Sequence, residues 1–212
     1  LNGHQKHVRD INQINKKYSQ NIPITKGEKP MYFIGVDPGQ TGAIAVLNES
    51  GQCQFLSDWP GDEIGVAHCV KTQTIGPLSG AQFMAAIEDV HGMPKMSVTS
   101  ISKFMINFGI WRCAFAMVDI PCWLVKPRQW QKGALRIEDG SKIKINRRGE
   151  SIRVIDTKIA SLMGARRQWP KANLQFKKHH GRADALWIAE WLRRARQGES
   201  PTEGTGNIIS TH

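Results

Sequence analysis

The chain has 212 residues, 40% of them hydrophobic, and carries 29 Lys and Arg against 18 Asp and Glu, a formal net charge of +11. That length and apolar content support one globular unit with a sizeable core and exclude a chain disordered throughout. No apolar run approaches the roughly 18 residues of a membrane span, and the polar N-terminus lacks the apolar core of a signal peptide. Cys53, Cys69, Cys113 and Cys122 have no CxxC spacing, so neither a zinc pattern nor a disulfide framework is expected, only small thiols in a reducing compartment.

In chain order, residues 1–30 read as a polar extension, left out of the fold argument because Met31 opens the first strand-like run. Residues 31–37 (MYFIGVD) read as a buried strand, Pro38, Gly39 and Gly42 as a turn, and 43–47 (AIAVL) as a second strand returning as a hairpin. A third strand is expected at 53–58, closed by Trp59-Pro60-Gly61. Residues 61–80 show no clear period and read as a loop with at most a short helix. Residues 83–90 read as a strand running into acidic residues. Over 97–117, Ile101, Phe104, Met105, Phe108, Trp111 and Phe115 recur at three- and four-residue steps, the mark of an amphipathic helix, and Gly109 within it suggests close packing or a kink.

Residues 121–126 read as a strand, with Pro127 at a helix start. Residues 136–149 read as a basic flexible loop, 150–163 as a helix ending at Gly164, and 181–196 as a closing helix with Ala185, Ile188, Ala189 and Leu192 on its apolar side. The folded domain is expected over 31–196, with 197–212 a flexible tail. Three strands followed by alternating strands and helices make an α/β protein with a mixed sheet and helices on its faces.

Three carboxylates fall at informative places: Asp37 at the end of the first strand, Glu88 at the end of the fourth, and Asp184 in the first turn of the last helix. Strand ends of an α/β sheet are where sites are built. Clustered carboxylates repel unless a cation joins them, and hard oxygens select Mg²⁺ or Mn²⁺. His180 lies four residues before Asp184 and shares its helix face, where it is a candidate ligand or proton shuttle. Each residue also has a purely structural reading: Asp37 as a turn former, Asp184 as a partner of the helix dipole, His180 as a cap. Asp89 falls on the opposite strand face from Glu88 and reads as structural.

The charge is uneven. Residues 126–212 hold about 19 basic against about 8 acidic residues, whereas 31–125 hold about 4 against 8. An acidic half joined to a basic half suits a polyanion partner. Candidate phosphate contacts are Lys126, Arg128, Lys132, Lys178 and Arg182, with Lys142, Lys144, Arg147, Arg148 and Lys177 behind them. Trp123 reads as core, and Trp130 as core or as a platform for an unpaired base.

Four segments carry a family resemblance. "FIGVDPGQTGAIAVL" resembles the first hairpin of RuvC-type Holliday-junction resolvases. "AAIEDVHGMPKMSVTSISKFMINFG" resembles their second motif and central helix. "WLVKPRQWQK" and "KKHHGRADALWIAEWL" resemble the strand–Pro–Trp segment and closing helix of the phage and organellar branch. In order they span roughly residues 31–195.

The resemblance implies an RNase H-like fold, its mixed central sheet having three antiparallel strands and then parallel ones. It implies a homodimer through helix 97–117 that nicks four-way DNA junctions symmetrically, and two Mg²⁺ or Mn²⁺ ions per site held by Asp37, Glu88, Asp184 and a fourth residue. Bacterial members often place an Asp or His three residues before the last Asp. Here that residue is Gly181, so the fourth position passes to His180, or else His179. The expected reaction is phosphodiester hydrolysis, with Asp37 bridging both ions, Glu88 on one, and Asp184 with His180 on the other.

The alternatives are an RNase H-like nuclease for flaps or other branched DNA, and an inactive junction-binding protein. "DPGQTG" also resembles the phosphate loop of actin-like ATPases, but their second phosphate loop and adenosine-binding Gly-Gly are not evident. The expected compartment is the cytoplasm of a bacterial or phage-infected cell, with an organelle second.

Overall fold

The computed structural model describes residues 29–75, 78–89 and 97–198. The expectations for residues 1–28 and 199–212, and the HGMPKM part of the second motif, lie outside the described residues.

Five strands form one mixed sheet in the order β3-β2-β1-β4-β5. β1 (Met31–Asp37) pairs antiparallel with β2 (Ala43–Asn48), and β2 pairs antiparallel with β3 (Cys53–Asp58). On its other side β1 pairs parallel with β4 (Gln82–Glu88), and β4 with β5 (Cys122–Val125). The parallel register sets Val36 beside Ile87, so Asp37 and Glu88 leave the sheet at the same edge.

Strand periodicity then divides the core. Tyr32, Ile34, Val36, Ala85 and Ile87 face the layer made by α1 (Glu63–Ile75) and α2 (Val98–Ala116), which contributes Val66, Phe108, Trp111 and Phe115. Phe33, Ala45, Leu47 and Ala86 face the opposite layer of α3 (Pro127–Ala134), α4 (Thr157–Gln168) and α5 (His180–Arg196). Asp37 has the parity of Phe33, and Glu88 that of Ala86, so both carboxylates belong to the α5 face.

Three expectations are corrected. Residues 63–75 form a helix, not a loop. Asp62 accepts a hydrogen bond from Gly65 N at 2.7 Å and opens the first turn, and Val66, Cys69 and Val70 are the buried side chains. Three small anchors between glycines make a faint periodic signal. Residues 136–149 are not a loop throughout, because β6 (Ser141–Ile145) pairs with β7 (Ser151–Ile155) in a separate hairpin. The helix expected over 150–163 is therefore strand up to Ile155. Asp156 caps α4, which runs on through Gly164 to Gln168. The hairpin's β-branched residues Ile143, Ile145, Ile152, Val154 and Ile155 fall on both faces with Lys and Arg between them, so no clean alternation marks the strands. Gly109 in α2 faces open space, so no close packing within the chain explains it.

The close packing falls at Gly35, in the middle of β1. A Cβ there would stand 2.1 Å from the Ala185 carbonyl oxygen and 2.3 Å from the Ala189 amide nitrogen. α5 thus lies on the sheet at backbone contact, with Ala183, Ala185 and Ala189 fully buried. Gly35→Ala is expected to destabilise the protein by at least about 2 kcal/mol, since a close-packed interface must open to admit the methyl. Urea unfolding checks this, and a midpoint equal to that of the wild type would show that the helix is not held at backbone contact.

Candidate metal-binding active site

The α5 face of the sheet edge gathers the predicted residues. Asp37 ends β1 and also shapes the turn after it: its Oδ1 accepts a hydrogen bond from Gly39 N at 2.9 Å. The turn-former reading and the site reading are both compatible with this geometry. Glu88 ends β4, and its Oε1 accepts from Trp130 Nε1 at 2.9 Å. Asp184 lies in the second turn of α5 rather than the first, because the helix begins at His180. Its Oδ1 accepts from the Ser161 hydroxyl of α4. Each carboxylate is thus anchored through one oxygen by a different element.

The three share one electrostatic environment. Burial raises the Asp37 carboxyl, against the Gly39 amide and the Lys158 ammonium. Burial, and then the charge of Asp37, push Glu88 up to about 7, opposed by the Trp130 hydrogen bond. Burial and Asp37 raise Asp184 well above the usual carboxylate range, with Glu88 adding to the rise and Ser161 and Lys158 opposing it. Like charges in a poorly solvated pocket stand apart unless a cation joins them. No three His, Cys, Asp or Glu side chains among the described residues form a ready-made metal cage.

The structure separates the two histidines. His180 is held below its ordinary pKa by burial and by Lys158, the same lysine that acts on Asp37 and Asp184. His179 points elsewhere: its ring meets Phe176 edge-on at 5.3 Å, and after burial its main influences are Arg182 and Asp58. The Nδ1 atoms of both are buried without a hydrogen-bond partner among the described residues. Gly181 has a steric reason. A Cβ there would stand 2.1 Å from the Thr41 carbonyl oxygen, so the position admits no side chain while α5 abuts the β1–β2 turn. Of the two histidines, His180 is the one that shares Lys158 with Asp37 and Asp184.

The basic residues divide likewise. Lys126, Arg128 and Lys132 are exposed on or beside α3, whose inner side buries Trp130. Trp130 is therefore a positioning residue for Glu88 rather than a base platform, and Trp123 packs at the edge of the core. Arg182, also a candidate phosphate contact, is paired within the chain: its guanidinium forms two 2.6 Å hydrogen bonds to Asp58 and ties α5 to β3. Lys178 is exposed above the Phe176 ring. Sequence reasoning missed Ser161, Lys158 and the part played by Trp130. Trp130 reaches across 42 residues to Glu88, and no local pattern signals such a pairing.

No family model and no curated protein matches the sequence. Solved structures do. A Thermus thermophilus RuvC in complex with a Holliday junction substrate superposes with a TM-score of 0.51 at 15% identity, covering 84% of this chain and 99% of that one. A second structure of Thermus thermophilus RuvC gives 0.50 at 16% identity, covering 84% and 100%. The fold is that of RuvC. At such low identity the likeness is one of architecture, so the chemistry has to be argued from this chain's own residues. Within this fold, three carboxylates on separate elements offer hard oxygen donors that fit a divalent cation, and the unpartnered imidazole nitrogen of His180 is a borderline donor.

The protonation behaviour gives a stability prediction for the metal-free protein. Glu88 takes up its proton at about pH 7 when folded and near 4.5 when unfolded, so between these values the folded state holds the extra proton. Stability is therefore full below the unfolded value and declines as pH rises through 7, by about 1–3 kcal/mol. Thermal melts in chelator at pH 5 and pH 8 are expected to show this decline, and Glu88→Gln to shrink it. A melting temperature that rises across that interval would contradict the buried, charge-crowded placement of Glu88.

Proposed function

We propose that this protein is a structure-selective DNA endonuclease that resolves four-way junctions by paired symmetric nicks, through divalent-metal-dependent phosphodiester hydrolysis. The observation that carries the reading is the convergence of Asp37, Glu88 and Asp184, far apart in sequence, at one sheet edge, where each feels another's charge, with His180 sharing their neighbour Lys158. The RuvC fold supports the junction as substrate, since one of the similar structures is a complex with that DNA.

Asp37, Glu88, Asp184 and His180 would hold the ions, Mg²⁺ or Mn²⁺, two per site. A bound divalent ion lowers the pKa of water and stabilises the departing oxyanion. The chain's own groups prepare the rest. Trp130 and Ser161 fix the orientation of Glu88 and Asp184, so little reorganisation is needed when charge develops. His180, kept neutral by burial and Lys158, is able to accept a proton. Lys158 supplies a positive charge beside the carboxylates. Lys126, Arg128, Lys132 and Lys178 draw in the phosphate backbone that the acidic pocket alone would repel.

Two nicks in opposing strands call for two sites, and α2 is the surface proposed to pair two copies. Val98 and Ile106 are exposed on it, at 80% and 61%, and beside Gly109 a partner helix has room to approach. Working sites in the cytoplasm of a bacterial or phage-infected cell suit the free cysteines.

Cleavage of a labelled four-way junction, with nicks mapped on all four strands, tests the proposal. Symmetric nicks requiring Mg²⁺ or Mn²⁺ are expected. Asp37→Asn should lower the rate by on the order of 1,000-fold while leaving junction binding largely intact. A protein that cuts flaps or RNA–DNA hybrids well and junctions poorly would refute the resolvase assignment. A wild type inactive with either ion would refute the nuclease itself.

A further inference from the structure

The β6–β7 hairpin belongs to neither the main sheet nor the acidic site. Among the described residues its strands pair only with each other. A lone two-stranded hairpin is marginal in water and depends on whatever it packs against. At its base it is fastened to α4: Asp156 N donates to Gly140 O at 3.1 Å, and Lys142 Nζ to Asp156 Oδ2 at 2.9 Å. At its tip Asn146 Oδ1 accepts from Arg148 N and Glu150 N at 2.8 and 2.9 Å, and Gly149 takes a positive φ of 79°. This turn chemistry specifies a hairpin, and it leaves Arg147 and Arg148 exposed at the apex.

Between base and tip the ribbon exposes side chains that water does not favour. Ile143 and Ile145 are each 66% exposed. The cross-strand register sets them on one face with Arg153, while Lys144 and Ile152 share the other. A solvated edge is usually kept polar to prevent sticking, and bare isoleucines do the opposite. The ribbon's five basic residues face one acid, Glu150, which is itself bonded to Asn146 Nδ2 at 2.6 Å. A strongly cationic, part-apolar, two-stranded ribbon matches the major groove of duplex DNA in width and charge. Its placement agrees: it leads through Asp156 into the first turn of α4, where Lys158 acts on Asp37, Asp184 and His180.

We propose that this hairpin is a DNA-binding arm lying in a groove of the duplex that leads from the cleaved strand. Arg147 and Arg148 contact phosphates, and Ile143 and Ile145 contact sugars and base edges. The proposal rests on the nuclease reading and adds to it a specific clamp outside the acidic site.

The test is fluorescence anisotropy of a labelled four-way junction, in chelator so that nothing is cut, across a range of salt. Arg147→Ala/Arg148→Ala should weaken binding about tenfold or more and flatten the salt dependence by about 2 in log–log slope, as expected for two lost phosphate contacts. Ile143→Thr/Ile145→Thr, which keeps the β-branched backbone preference, should weaken binding about fivefold and leave the slope unchanged. Arg147→Lys/Arg148→Lys, preserving charge, should retain the slope. All three should melt like the wild type, since the changes are exposed. Wild-type affinity and slope in both the Arg147→Ala/Arg148→Ala and the Ile143→Thr/Ile145→Thr variants would overturn the arm, as would unchanged affinity with a changed oligomeric state, which would make the ribbon a protein contact. A wild type that cuts junctions while its arm variants bind normally sinks only the arm, whereas a wild type that binds no DNA sinks the nuclease reading as well.

Discussion

The fold depends on backbone contact between α5 and the sheet. Gly35 removes the side chain from the middle of β1, and Ala183, Ala185 and Ala189 keep the facing helix surface small, so helix and strand meet where any β-carbon on Gly35 would collide. Side-chain packing normally holds a helix about 10 Å from a sheet. The closer approach brings a helical carboxylate, Asp184, into Coulomb range of the strand-end Asp37 and Glu88. Gly181 repeats the device one turn earlier, letting the start of α5 abut the β1–β2 turn at Thr41. The same contact excludes any side chain at position 181.

Placing three carboxyls in one poorly solvated pocket is unfavourable for folding, and the surroundings show how the chain tolerates it. Trp130, Ser161 and the Gly39 amide each hold one oxygen, and Lys158 contributes a nearby positive charge. These contacts fix orientation without neutralising the cluster, which leaves a site whose natural complement is a cation. α3 serves two surroundings in eight residues: its inner side anchors Glu88 through Trp130, and its outer side carries Arg128 and Lys132 toward solvent. Arg182 adds to the scaffold: its guanidinium pairs with Asp58 and links α5 to β3.

Much of this was readable from residues alone. The strands of the main sheet announce themselves as short apolar runs between turn formers, and Asp37 and Glu88 stand at their ends, where α/β sheets build sites. The α5 pattern of Ala185, Ile188, Ala189 and Leu192 predicted the buried face correctly. What stayed hidden has physical causes. In α1 the buried anchors are small and few. In β6–β7 a ribbon without a core face shows no clean alternation of apolar and polar residues, because isoleucines and cations share both sides. The contacts of Trp130 and Ser161 with the site span 42 and 23 residues and arise only from tertiary packing.

Four donors on three elements are proposed to make one ion site. Anomalous scattering from crystals soaked in Mn²⁺ reads this out. Peaks are expected in the pocket bounded by Asp37, Glu88, Asp184 and His180, and none there in Asp184→Asn crystals. Manganese bound elsewhere on the surface, with that pocket empty at saturating ion, would contradict it.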